Sequence, residues 1–422
     1  MGFNRDLTLI HAAALLRSLG IGLLGVLLGI YLFRGGASSL QIGLVVASGL
    51  AGGAVATVVV SFRGDRLGRR RTLIVLSLLS AAGGLGLALT SRFAGLLALA
   101  FVGMLNGMGT DRTAAFAMEQ AIIPGLAPDH RRTWALSWYN VVLDSGHALG
   151  SLAAGVPFLL QHWWTLDPAA GYKFVFFGYA GLNLLTGAFY LLLSSRVELS
   201  GPAAGASAAP LTPETKRIVT RLAALFSLDS FGGGFLSDAL ISYWFFRRFG
   251  VPVQSLGILF FAVHILNAAS HLGAAWLARR IGLLNTMVFT HLPSSLLLIA
   301  VPFAPSFKLA ALLFLLREGL VEMDVPTRQS YIAAVVRPEE RTFASGITNL
   351  TRNVFWAIAS SLAGLAMQNV AFSAPLLAGG GMKIGYDILL YRAFRGIKPP
   401  EERISGAGGD KQFVTAGDVK EA

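Results

Sequence analysis

Nine ionisable residues stand inside long apolar stretches of this 422-residue chain: Arg17, Asp111, Arg112, Asp144, His147, Asp229, Arg317, Glu322 and Arg352. A charge at the centre of a bilayer costs about 2.5–3.5 kcal/mol even on insertion scales, so such groups must face one another or a watered cavity. Their chemistry is that of a path for ions: arginines hold anionic groups, carboxylates and imidazoles take up and release protons. Asp229 is the expected proton carrier, because Arg17 or Arg317 approaching or leaving a buried carboxyl changes its hold on a proton. His147 is the second candidate, since imidazole titrates near neutral pH. About half of the nine are expected to be interhelical ion pairs that only set packing.

Other chemistries lack their residues. The chain has no cysteine, hence no disulfide framework and no thiolate nucleophile or ligand. Gly232–Gly234 and Gly379–Gly381 come without the lysine and Ser/Thr of a phosphate-binding loop. His264 and His271 share a helix face, but no acid in that stretch completes a metal set. Asn349-Leu-Thr351 fits a glycosylation pattern inside a span. No nucleophile and base come at a recognisable spacing. An enzyme is not expected, nor a metal or cofactor, and a proton gradient is the expected energy source.

The elements that must position these charges follow from composition. The chain is 54% hydrophobic and 13% charged, with mean hydropathy +0.64, against about 25% charged in soluble domains. At about 20 apolar residues per membrane helix, spans are expected near 9–33, 40–62, 73–92, 94–119, 134–160 and 172–193. A second set is expected near 219–246, 253–277, 284–303, 307–331, 343–368 and 372–394. The last contains Lys383 and Asp387, and is expected to be broken or held by its neighbours. Residues 196–217, rich in Ala, Gly, Pro and Ser, read as a linker between bundles 1–195 and 218–395, with a flexible tail over 396–422.

The halves look like copies. EQAIIPGLAPDHRRT from Glu119 is echoed by RQSYIAAVVRPEERT from Arg328, an offset of about 209 residues that also aligns Asn140 with Asn349 and Gly155 with Gly364. The net charge of +12 is spread as short clusters between spans, which is a topology signal and not a nucleic-acid footprint. The side carrying Arg63–Arg71 is the richer in Arg and Lys, so that side and both termini are expected in the cytoplasm.

One loop carries more than topology. Ser61 to Arg70 reads S-x-x-x-D-R-x-G-R-R, and with two sets of six spans around a central linker it resembles the major facilitator superfamily, whose loop motif begins with glycine. The resemblance implies an all-α membrane protein of twelve transmembrane helices in two six-helix bundles. It implies that spans one, four, seven and ten line a central cavity, with Arg17, Asp111, Arg112, Asp229, Arg317 and Glu322 as the polar site. It also implies a latch: Asp65, Arg66, Gly68, Arg69 and Arg70 dock on the start of span eleven, with Glu119 joining the network. Plain positive-inside topology is the simpler account of these arginines. Gly146, Gly150 and Gly155 match part of the family's span-five antiporter motif, and are expected to form a flat face against a helix of the other half. Span four has Gly103 where the family's motif has arginine, and Arg317-Glu318 stands in the duplicate span.

The expected function is secondary active transport, proton-coupled efflux of a small amphiphilic drug or metabolite by alternating access. Organic-anion uptake or exchange is one alternative; a non-transporting receptor on the same scaffold is another. The expected partners are the lipid bilayer and a small-molecule substrate, with no nucleic acid. The chain is expected to work as a monomer in a bacterial-type inner membrane.

Overall fold

The computed structural model describes residues 5–111, 113–126, 132–164, 168–198, 213–325, 327–328 and 341–396. Arg112, the side chain of Asp65 and the side chains of 341–349 lie outside that description, as do the central linker over 199–212 and the tail.

Every described element is helical. The first half contains α1 (Arg5–Arg34), α2 (Ser39–Leu67), α3 (Arg69–Leu89), α4 (Phe93–Gly103), α5 (Ala114–Leu126), α6 (Arg132–Ala153), α7 (Val156–Trp164) and α8 (Pro168–Leu191). The second contains α9 (Pro213–Gly234), α10 (Asp238–Phe249), α11 (Val253–Ile281), α12 (Leu283–Ala300), α13 (Phe307–Val321), α14 (Arg341–Asn369) and α15 (Ala374–Phe394). Local chemistry sets several ends. Ser38 and Gln41 form a capping box on α2, and Ser306 caps α13. Gly68 joins α2 to α3 at φ 89°, a conformation that favours glycine. Six helices are individually long and apolar enough to cross a membrane.

Four expected spans are interrupted. Span four unwinds between Gly103 and Ala114, span five at Ala154–Gly155, span seven at residues 235–237, and span ten after Val321. Unwound backbone is tolerated at membrane depth only where it is buried in protein or lines a cavity, and in span four several of its groups are paired. Asn106 donates to the Thr110 carbonyl at 2.7 Å and accepts from Met108 N–H at 2.9 Å. The Gly107 carbonyl accepts from Ala239 N–H at 3.0 Å, across the seam between the halves. The last span, by contrast, is one continuous helix, α15, with Lys383 and Asp387 both buried; partners described below replace the water they lose.

The halves pack alike. α1 lies against α6 and α8, and α9 against α14 and α15; α3 lies against α4 and α8, and α12 against α13 and α15. Three main cross-pairs, α2 with α14, α6 with α11 and α1 with α10, join the halves. Exposed apolar side chains such as Leu89, Trp163, Ile258 and Phe303 cover the outside, as a lipid-facing surface requires.

Asp6 accepts from Ser194 N–H at 2.9 Å, bringing the start of α1 beside the end of the sixth span. We call this the terminus side, and the other the far side. The core is organised along that axis. On the far side one apolar cluster runs through both bundles, including Leu24, Leu28, Trp244, Phe260 and Ala363. On the terminus side the described core divides in two, one cluster in each bundle. Far-side closure is reinforced by Ser242 donating to the Val26 carbonyl and by Arg247 over the ring of Phe33, 4.6 Å from its centroid. Gly43 and Gly364 let α2 and α14 approach backbone to backbone.

Candidate functional site

The expected polar residues fall into three groups, only two of which line the cavity between the bundles. The first group is sealed inside the N-terminal bundle. Arg17 Nε donates to Asp111 at 2.7 Å and Arg17 Nη2 to Glu119 at 2.6 Å. The hydroxyls of Tyr139 and Tyr190 each donate to Glu119 at 2.6 Å, and Arg17 Nη1 donates to Tyr190 at 2.6 Å. Five groups from α1, the segment before α5, α5, α6 and α8 thus satisfy one another. This corrects two expectations. Arg17 and Asp111 do not meet Asp229, and Glu119 does not join the latch, because its carboxylate is already occupied by three donors.

The second group belongs to the C-terminal bundle. Asp229 of α9 accepts from Lys383 Nζ of α15 at 2.9 Å and from Arg328 Nη1 at 3.1 Å. Arg328 also pairs with Asp324 at 3.0 Å. Lys383 Nζ lies 3.2 Å from His291 Nε2, whose Nδ1 lies 2.9 Å from Asp387. Arg352 of α14 donates to Ser230 at 3.2 Å and lies over Trp356, 5.2 Å from its ring centroid. The expected partners of Asp229, Arg17 and Arg317, are therefore replaced by Lys383 and Arg328.

The third group sits where the broken spans meet. Arg317 is bonded to its neighbour Glu318, and Asn267, with its amide oriented to donate, reaches Glu318 Oε2 at 3.2 Å. Asp238, the first residue of α10, lies 3.6 Å from His264 Nε2. The His264 ring is 5.5 Å from that of His147 in the opposite bundle. The second and third groups, apart from Ser230, Asp387 and His147, line with Glu322, Met108, Thr110 and Leu236 a cavity of about 740 Å³ that is partly open to solvent. Its wall carries both signs of charge. Asp144 is half-buried on α6.

The glycines of α6 are also placed differently from expectation. A Cβ on Gly146 would strike Ser18, and one on Gly150 the Leu19 carbonyl, so this face packs against α1 of its own bundle. Of the three only Gly155, in the turn after α6, looks across: a Cβ there would lie 3.5 Å from Gln254 Cγ. At the basic loop, Glu198 accepts from the N–H groups of Arg69 at 2.7 Å and Arg70 at 3.1 Å, capping α3 with a carboxylate. Arg70 bonds the Leu191 carbonyl, while Arg66 is exposed.

Sequence reasoning missed Asp238, Arg328, Lys383 and His291 as site residues. Arg328 had a signal: it occupies the repeat position of Glu119. Lys383 had one too, as a charge that span twelve could not leave in lipid.

Comparison with known proteins agrees with the architecture. Residues 10–321 match the Major Facilitator Superfamily. An uncharacterized membrane protein of Saccharomyces cerevisiae is 25% identical over 425 residues, covering 93% of this chain and 95% of its own. A D-xylose–proton symporter has the same fold at TM-score 0.73 and 14% identity, over 92% of this chain and 97% of its own. A bacterial homolog of the human lysosomal transporter Spinster, in an inward-facing and unoccupied conformation, fits at TM-score 0.70 and 14% identity, over 93% of this chain and 96% of its own. Twelve helix-built spans in two similar halves around a charged cavity, together with that family match, make this a multi-pass membrane protein with a secondary-transporter architecture, and the chain belongs to the Major Facilitator Superfamily.

Proposed function

We propose that this protein is a proton-coupled secondary transporter that exports a small organic metabolite bearing ionised groups, by rocking its two bundles about the cavity between them. One observation carries the choice of cargo: the cavity wall includes Asp229, Asp238, Glu318, Arg328, Arg352 and Lys383. A hydrophobic drug would strip the remaining water from these groups and offer them nothing in return, whereas an ionised metabolite replaces that water with charge-assisted contacts. Of the two cargo classes expected from sequence, the metabolite is the better fit. The separate terminus-side cores and the shared far-side core support alternating access, since they describe halves that meet at one mouth. The arginine asymmetry supports placing the terminus side in the cytoplasm of a plasma membrane, and nothing in the mechanism needs more than one copy.

The test uses proteoliposomes holding a pH-sensitive dye and an imposed proton gradient. Adding the cargo, sought among small carboxylates, amines and zwitterions, dissipates the gradient, and Lys383→Ala slows that dissipation at least tenfold. Cargo flux that ignores a protonophore would sink the coupling. A second reading, exchange of organic anions, is favoured by the arginine and lysine groups of the wall; there one anion trapped inside accelerates entry of another with the proton gradient collapsed.

A further inference from the structure

We propose that Asp238, His264 and His147 form one proton-binding site that is complete only while the far side is shut, so that taking up the proton and closing the far side are a single event. This deepens the proton-coupled reading above by naming the atoms that take the proton.

The three side chains come from α10 and α11 of one bundle and α6 of the other. Asp238 is 16% exposed at its side chain and His264 4%, while His147 is 3% exposed overall. Nε2 of both histidines is buried without a hydrogen-bond partner, and the Asp238–His264 separation of 3.6 Å exceeds a hydrogen bond. A carboxylate and two imidazoles thus stand close together with no hydrogen bond yet made at either Nε2. The N-terminal bundle forms its lid from backbone. Gly25 of α1 lies under Asp238, where a Cβ would come within 3.1 Å of the aspartate Cβ, and a Cβ on Gly109 would collide with the carboxylate. Gly22 of α1 packs against the His147 carbonyl within the N-terminal bundle, which fixes the histidine to that bundle.

The charged neighbours sharpen the need. Glu318, Arg317 and Glu322 act on Asp238, and Arg317 is already held by Glu318. Asp111 and Arg17 act on His147, but are paired with each other. With the lid in place an ionised Asp238 is a largely shielded charge at the cavity wall, 16% exposed, beside two further acids, an arrangement that disfavours the charge. One proton on the triad removes that charge. When the far side opens, Gly25 and Gly109 withdraw and the carboxylate gains water. Binding that favours one conformation populates it, so acid closes the far side and alkali opens it.

The native chain has no cysteine, so a spin-label pair can be placed cleanly. Ser91→Cys and Val370→Cys put labels on exposed far-side positions of the two bundles. Pulsed dipolar distances in lipid nanodiscs between pH 5 and 9 then report closure without any cargo. The closed-to-open ratio is expected to rise up to about tenfold per pH unit of acidification, the limit for one proton. Asp238→Asn is expected to stay closed at every pH, and His147→Gln to lose most of the pH response. A distance distribution indifferent to pH overturns the proposal, as does Asp238→Asn titrating like its parent. Should Asp238→Asn not fold, His147→Gln decides: a retained response overturns the proposal, a lost one supports it. Because no cargo is present, these outcomes stand apart from success or failure of the transport assay.

Discussion

The two bundles solve the same problem with opposite charges. In the N-terminal bundle an arginine on the first span, Arg17, meets an acid on the fourth, Glu119. In the C-terminal bundle an acid on the seventh span, Asp229, meets an arginine of the tenth, Arg328. Glu119 and Arg328 stand at the same place in the repeated sequence, so the pairing is kept while its sign is inverted. The surroundings differ more than the pairs do. The Arg17 cluster is closed by two tyrosine hydroxyls, and Glu119 is wholly buried. The Asp229 cluster continues through Lys383 and His291 to Asp387 and forms a wall of the cavity. A buried ion pair with all its lone pairs used fixes a bundle; one that shares its cations with a watered cavity can exchange partners. The comparison therefore assigns packing to the first cluster and traffic to the second.

That division can be broken by measurement. The largest loss is expected for Arg17→Ala, which leaves Asp111 and Glu119 buried without their cation and costs ~3–5 kcal/mol of stability; thermal unfolding of the purified protein would show it. If Arg17→Ala melts like the parent and instead stops transport, the first cluster is part of the path. Lys383→Ala is expected to lower the melting temperature less than Arg17→Ala while removing most transport, because water in the cavity can reach Asp229. Equal destabilisation by the two variants would erase the distinction between the bundles. The smallest effect is expected for Tyr190→Phe, which deletes one donor to Glu119 and costs about 1–3 kcal/mol, with cargo-driven proton flux per folded molecule unchanged.

The latch illustrates how far sequence could be pressed. Gly68 and the arginines were readable as a structured loop, and the positive φ at Gly68 agrees. The acid that caps α3 is Glu198, 129 residues from Arg69 in sequence and unremarkable there. No periodicity or spacing marks such a partner, since only the fold brings the end of the sixth span beside the start of the third. The interruption of span four is similar. Hydropathy reads through it as one span, while the unwound stretch over residues 104–111 is met by Ala239 of the other half, which offers an N–H to Gly107.

Arg17, Asp229 and Arg317 were visible because a charge inside an apolar run is costly wherever it lands, and the twelve spans, their repeat and the basic loop were visible because hydropathy is a property of the chain itself. Which charge meets which was decided by tertiary structure alone. Pairing is a matter of a few ångströms between side chains on different helices, and helices that are equally apolar give no hint of their azimuth. Asp238, Arg328, Lys383 and Asp387 of the site, and Glu198 at the basic loop, acquire their partners from other helices or segments far along the chain only when each bundle is built.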